Sequence, residues 1–441
     1  MKPSSILRNT LLVAGLIGGA AQAAQLPAPF ATQLNANYPA IETLYQDLHR
    51  NPEIGFAEHQ TAARLAKLAK ELGFEVTTGV GGTGVVAILK NGPGPTVMLR
   101  TEMDALPVQE KTGLPYASKA TTKNAAGETV AMAHACGHDL HMSAWYGTAK
   151  LMADNRKAWS GTLMLIGQPS EETVHGAEAM LKDGLFTRFP KPDYALSFHD
   201  DATMPSGTIM YHAGPFRASS DVVKITVFGQ GGHGAVPHEA RDPIVMASRI
   251  VLALQTLVSR ENNPIDPLVI TVGSIHGGTV ANIIPDQVTL QLSVRTFKPE
   301  VRKRVLASIA REARGEAIAA GAPKEPLVQV EPGTDSVYND PELIGRMVKT
   351  VQGAVGPEWV KEMPAKMTSE DFSQYGLQPG VKAVLLHVGA VDGKRLEEAK
   401  KAGQPLPGTH SPQWAPDFKP TVINTIKAET AILLDLMAPK K

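Results

Sequence analysis

Apolar residues recur at spacings of three and four from Tyr38 to Leu72, through Ile41, Leu44 and Leu48 and then Ala62, Leu65, Leu68 and Leu72, a helical period. Apolar runs of strand length follow at Gly84 to Leu89, Thr96 to Leu99, Thr162 to Ile166 and Tyr194 to Phe198. A helical stretch from about Leu140 to Ala153 separates the second run from the third. Buried strands alternating with helices predict an α/β fold on a mainly parallel sheet covered on both faces.

The pattern changes near Gly214. Asp221 to Phe228 alternates as a half-exposed strand, Pro243 to Arg260 reads as an amphipathic helix, and strands are predicted at Leu268 to Ile275 and Gln287 to Phe297. A helix from Pro299 to Ala320 and a strand from Leu327 to Val330 complete a βαββαβ order, the ferredoxin-like split motif. This predicts an inserted domain over about residues 215–333. A helix from Pro341 to Gly353, a strand from Val381 to Val388 and a helix from Thr421 to Leu436 then return the chain to the first domain, residues 24–214 and 334–441.

A chain of 441 residues, 43% of them hydrophobic, can bury a large core. Its 43 basic residues balance 43 acidic ones, so no general field steers it toward nucleic acid or an anionic membrane, and its partners must be argued from the site. Lys2 and Arg8, the apolar run Leu11 to Ile17 and the small residues before Ala23 have the layout of a secretory signal peptide, residues 1–23, which predicts a periplasmic or secreted protein. That run is shorter than the roughly 20 apolar residues needed to span a membrane, and no later stretch reads as long enough. Cys136 is the only cysteine, so no intramolecular disulfide can form, and metal ligation is one reason to keep a lone thiol.

Chemistry is concentrated in five segments. His134-Ala135-Cys136-Gly137-His138-Asp139-Leu140-His141 crowds a thiol, three imidazoles and a carboxylate just before a helix, and a thiolate and imidazole two residues apart suit a transition metal. Glu171 and Glu172 follow the strand that ends near Gly167, His199-Asp200-Asp201 follows the strand ending at Phe198, and Glu102 and Asp104 follow Thr96 to Leu99. In an open α/β sheet that edge is where ligands bind. His410 lies in a loop after the last strand. Each residue alone has an ordinary structural explanation: a helix cap, an exposed acid pair, a turn histidine. Their repetition at one sheet edge is what favours a metal site.

Together these segments resemble the dinuclear metallopeptidase and aminoacylase superfamily, most closely its branch of hippurate hydrolases and indole-acetyl-amino-acid hydrolases. The resemblance runs from Leu48-His49-Arg50-Asn51-Pro52-Glu53 through the Met-Asp-Ala-Leu-Pro, Cys-Gly-His-Asp and Gln-Pro-x-Glu-Glu segments. It continues through Gly232-His233-Gly234-Ala235, Asn282-Ile283-Ile284-Pro285, Ser369-Glu370-Asp371-Phe372 and His410-Ser411-Pro412. It implies a phosphorylase/hydrolase-like zinc-peptidase architecture with an inserted lid and dimerisation domain. It also implies two divalent metal ions, zinc, manganese, cobalt or nickel, held by Cys136, His138, Glu172, His199 and His410, with Cys136 bridging. Glu171 would be the general base and Asp104 an acid behind the ligands. His233 would stabilise the oxyanion on a substrate bound in the partner subunit of a homodimer, and Asn282 and Arg295 would bind the substrate carboxylate.

The implied activity is hydrolysis of the amide bond of N-acyl amino acids, with a carboxypeptidase or dipeptidase as a close alternative and a catalytically silent binding protein as a distant one. Two departures stand out. Glu102 is one methylene longer than the Asp usual at that position, and Asp200-Asp201 follow His199 where the family more often has an apolar pair.

Overall fold

The computed structural model describes residues 26–124 and 126–439; the predicted signal peptide lies outside them. The largest sheet has eight strands in the order Glu75–Val80, Gly84–Asn91, Gly161–Gln168, Thr96–Glu102, Tyr194–Pro205, Lys382–Val391, Ile209–Tyr211, Val360–Glu362. The four strands from Gly161–Gln168 to Lys382–Val391 run parallel, as the apolar runs predict, and antiparallel pairings begin on either side of them. Alternate residues of these strands enter two cores. Val97, Leu99, Leu163, Leu165, Leu196 and Phe198 face helices Ala28–Arg50, His59–Glu71, His138–Asp154, Pro341–Val355 and Phe418–Leu436, while Met98, Met164, Ile166 and Ala195 pack against Met180, Phe372 and Tyr375.

The helical pattern from Tyr38 to Leu72 belongs to two helices, Ala28–Arg50 and His59–Glu71. Pro52 disfavours helical geometry at Asn51, and the Glu53 carboxylate accepts hydrogen bonds from the backbone of Gln60 and Thr61, capping the second helix from outside.

Residues 221–332 form a separate antiparallel sheet, ordered Leu268–His276, Gln287–Thr296, Asp221–Phe228, Leu327–Pro332. Helices Pro243–Thr256 and Pro299–Ala319 cover one face, with Met246, Ile250, Leu254, Val305 and Ile309 against Val223, Ile225, Leu290 and Leu292. The first helix continues through Leu257–Glu261, and the 19 residues Pro243–Glu261 are apolar enough to cross a membrane by length and composition, a longer run than the sequence reading allowed. Its inner face is spent on the sheet; Ile244, Val245 and Leu252 are left exposed.

One buried acid makes the larger core sensitive to pH. Glu429, on Phe418–Leu436, accepts a hydrogen bond from Thr148 Oγ1 at 2.5 Å, and burial raises its pKa to about 8. The folded state therefore keeps a proton that the unfolded chain releases near pH 4. The stabilisation is complete below that value and is lost as pH rises through 8, by up to about 1.4 kcal/mol per pH unit. Glu429→Gln should remove this slope, so urea midpoints measured from pH 5 to pH 8 should fall less in the variant than in the wild type. Parallel curves would show that Glu429 is ionised in the folded protein.

Candidate metal centre

The turn before helix His138–Asp154 brings thiol and imidazole to the same side. Gly137 sits at φ 81°, the left-handed region, and a Cβ there would lie 2.7 Å from the Asp200 carboxylate, so only glycine fits. The next strand end supplies the acids. Ser170, at φ 51°, turns the chain out of strand Gly161–Gln168 and is held by its N–H donating to Glu58 Oε1 at 2.8 Å. Glu171 and Glu172 emerge from this turn with their carboxylates 3.8 and 3.9 Å from His138 Nε2.

His199 lies inside strand Tyr194–Pro205 rather than after its end. Pairing with Lys382–Val391 continues past the histidine, because Asp200 and Asp201 find buried partners that let polar residues stay in the strand. His410 is in a loop, as expected, with φ 69° and its N–H donating to Ala135 O at 2.6 Å. That bond ties the C-terminal loop to the Cys136 turn.

These segments converge. The donor atoms of Cys136, His138 and His199 lie within 4.8 Å of one another, and so do those of Cys136, Glu172 and His410. Cys136 Sγ is 3.5 Å from His199 Nε2, and His410 Nε2 is 3.3 Å from Glu172 Oε2. His138 Nε2 and Glu172 Oε1 are buried without a hydrogen-bond partner. Burial, and then the charge of Glu172, push the Cys136 thiol well above its ordinary pKa. A soft thiol, three imidazoles and a carboxylate with orphaned buried donors fit transition-metal ions, which would draw the thiol to its thiolate. The two sets share one sulfur, and Cys136, His138, Glu172, His199 and His410 would together hold a pair of ions.

A second layer braces the donors. Asp104 does so in a divided way: its carbonyl oxygen accepts from His138 Nδ1 at 2.7 Å, while its Oδ2 accepts from the Glu172 N–H at 3.0 Å. His199 Nδ1 donates to Asp200 O at 2.8 Å, and the Asp200 N–H donates to His141 Nε2 at 2.9 Å. His141 Nδ1 in turn meets Glu102 Oε2 at 3.0 Å. Glu102 is thereby accounted for: it is fully buried between His141 and the Arg100 guanidinium. Arg100 also reaches Glu370 Oε1 at 2.8 Å, Asp371 Oδ1 at 3.0 Å and Gln168 Oε1 at 3.0 Å. Burial, then Glu370 and Glu172, hold the Glu171 carboxyl well above the usual range.

The sequence places His141, Asp200, Glu370 and Asp371 in segments of interest and Arg100 beside Glu102, but it gives none of the five a named role at the centre. Two of these carried a signal. Arg100 shares a strand face with Glu102 at a spacing of two, and His141 shares a helix face with His138 at a spacing of three. Of the remaining candidates, Arg295 Nη1 donates to Met367 O and Ser369 Oγ, each at 3.2 Å. His233 and Asn282 are neighbours, linked by Gly234 N–H to Asn282 O at 2.8 Å. Both are exposed, and they share no hydrogen bond or ion pair with the five candidate ligands among the described residues.

Two donor triads sharing a buried thiol, with a second carboxylate alongside, define a metal-dependent hydrolase of the dinuclear type. The chain belongs to peptidase family M20/M25/M40, whose profile matches residues 98–400. It is 42% identical over 267 residues to a hippurate hydrolase of Campylobacter jejuni, covering 60% of this chain and 66% of that protein. It is 35% identical over 339 residues to thermostable carboxypeptidase 2 of Saccharolobus solfataricus, covering 76% of this chain and 82% of that protein. A solved dinuclear metal-binding peptidase of the M20 family from Bacillus subtilis matches with a TM-score of 0.70 at 28% identity, over 90% of this chain and 98% of that one.

If Cys136 serves both ions, Cys136→Ser should lower bound metal at both positions rather than one. Metal content after dialysis, measured by plasma mass spectrometry, should fall well below half of the wild-type value; undiminished content would remove Cys136 from the ligand set.

Proposed function

We propose that the protein hydrolyses the amide bond of N-acyl amino acids, releasing a carboxylic acid and a free amino acid. The observation that carries this reading is the placement of Glu171 against His138 beside the two triads that share Cys136. It is supported by the family and by the likeness to a hippurate hydrolase. Bound at those triads, two divalent ions such as zinc, manganese, cobalt or nickel would polarise the scissile carbonyl and make the attacking water more acidic.

Glu171 accepts the proton from that water and passes it to the departing amine. Its place beside His138 and the two triads puts one carboxylate in position for both halves of the task. Asp104 keeps the His138 ring and the Glu172 backbone fixed while this happens. Arg295 and Asn282 receive the substrate carboxylate, and His233 donates to the oxyanion.

The exposure of His233 favours its acting on a site in a second copy of the chain. Ile244, Val245 and Leu252 on helix Pro243–Thr256, with Ile275 on the edge strand Leu268–His276, leave exposed apolar surface that such a copy would cover. The N-terminal pattern favours export, so the substrate would be met outside the cytoplasm.

The metal-loaded protein should release free amine from hippurate-like N-acyl amino acids faster than from dipeptides; the reverse ranking would favour a dipeptidase. Glu171→Gln should lower kcat by about 10²- to 10⁴-fold with bound metal unchanged. Undiminished turnover in that variant would end the assignment of Glu171 as the base.

A further inference from the structure

The segment Lys366–Ser369 borders the metal centre, with Lys366 tied to Asp201 two residues after the candidate ligand His199. It leads directly into Glu370, whose carboxylate lies within 4.8 Å of the donor atoms of His199 and Glu102. Three basic side chains meet this segment. Lys366 Nζ bonds the Asp201 carboxylate, so its charge is balanced. Arg217 Nη1 donates to Thr368 Oγ1, and Arg295 Nη1 donates to Met367 O and Ser369 Oγ. Neither guanidinium has a carboxylate within 4.0 Å among the described residues, whereas Arg100 and Arg302 have two or more each.

Arg217 is only 7% exposed, and its Nε has no hydrogen-bond partner. Withdrawing a charged group from water without a counter-charge is costly, and folded proteins rarely leave it so. A mechanical role for the guanidinium is weak, because the segments it links are already joined through the backbone. Arg217 bridges Lys366, and the Ala218 N–H donates to Lys366 O at 3.2 Å and to Thr368 O at 3.0 Å. An apolar side chain would leave those bonds intact. The planar fork of arginine is matched instead to a carboxylate, which it can engage through paired N–H donors.

We propose that Arg217 binds a second carboxylate of the substrate, so that with Arg295 on the first the enzyme selects N-acyl amino acids carrying two carboxylates. The second carboxylate belongs either to the amino-acid side chain, as in N-acyl glutamate, or to the acyl group, as in an N-succinyl amino acid. Asp201 makes this arrangement selective rather than merely cationic: by occupying Lys366 it leaves the two guanidiniums as the unpaired donors of the segment. The inference rests on the N-acyl amino acid reading for the nature of the substrate, though not for the existence of the anion subsite.

The test uses the full, metal-loaded protein and two pairs of substrates: N-acetylglutamate against N-acetylglutamine, and N-succinylalanine against its terminal amide. In one pair the dianion should be preferred at least about tenfold in kcat/KM, the scale of one charge-assisted contact, with the difference carried mainly by KM. The pair that shows it identifies the source of the carboxylate. Arg217→Met should bring that ratio to within about twofold of unity, and Arg217→Lys should retain part of it. Equal rates within both wild-type pairs, or a preference that survives Arg217→Met, would overturn the proposal. Calorimetric titration with glutarate and with glutaramate reads the subsite without turnover. Tighter binding of glutarate that disappears in Arg217→Met, in a protein that hydrolyses none of the four substrates, would uphold the subsite and reject the N-acyl amino acid reading. Equal binding of the two would reject the subsite.

Discussion

The centre depends on keeping many carboxylates close together without their repelling one another apart. Glu102, Asp104, Glu171, Glu172, Asp200, Glu370 and Asp371 all meet at one edge of the sheet, and most are buried. Arg100 is the main answer to this within the protein. Its guanidinium, with no exposed side-chain surface, joins Glu102 on its own strand to Gln168 on the neighbouring strand and to Glu370 and Asp371 from the C-terminal part of the chain. Although burial opposes ionisation, Arg100 and His141 keep the Glu102 carboxyl well below its ordinary pKa. Removing one member of such a buried set costs about 3–5 kcal/mol, because the others are left without compensation. Elements far apart in sequence are thus tied by charge as well as by packing.

What Arg100 does not neutralise is what remains for metal and proton chemistry. Glu171 lies outside its hydrogen bonds, and burial together with the neighbouring acids raises its pKa. Glu172 keeps one oxygen without a partner. The cluster is therefore divided into a compensated half behind the site and an uncompensated half facing it, where divalent cations would supply the missing positive charge. Asp104 joins the halves, since one residue orients His138 through its carbonyl and fixes Glu172 through its side chain. A longer side chain at that position could not hold both without moving one of them.

The parallel strands were legible because each is a short, unbroken apolar run, and a strand buried on both faces has no other way to be written. The inserted sheet was legible for the opposite reason: its strands alternate, with Val223, Ile225 and Val227 inward. Helical period alone concealed the break at Pro52, since Leu48 and Ala62 keep a plausible spacing across it. The segments carrying Cys136, His138, Glu172, His199 and His410 stood out because their sheet-edge positions repeat, which favours a metal site, but the five-ligand set itself follows only from the family resemblance. Their supports did not stand out, because Arg100 and Glu370 look like ordinary charged residues until folding brings 270 positions of separation to 2.8 Å. The extension of the His199 strand was hidden likewise: Asp200 and Asp201 read as a loop unless His141, Lys366 and His387 are known to face them.

One side of the centre is left open by this construction. The His410 side chain is 56% exposed, although its partner Glu172 is nearly buried. Amide hydrolysis gains from excluding bulk water, because each charge in the site acts more strongly once the local dielectric falls. The C-terminal loop carries His410 itself, and helices Ala28–Arg50, His59–Glu71, His138–Asp154, Pro341–Val355 and Phe418–Leu436 are packed into the larger core. The insertion carries the exposed pair His233 and Asn282, which no hydrogen bond or ion pair ties to the five candidate ligands among the described residues. A sheet that gathers its ligands at one rim leaves that rim facing solvent, so water exclusion there has to come from a body outside the sheet itself.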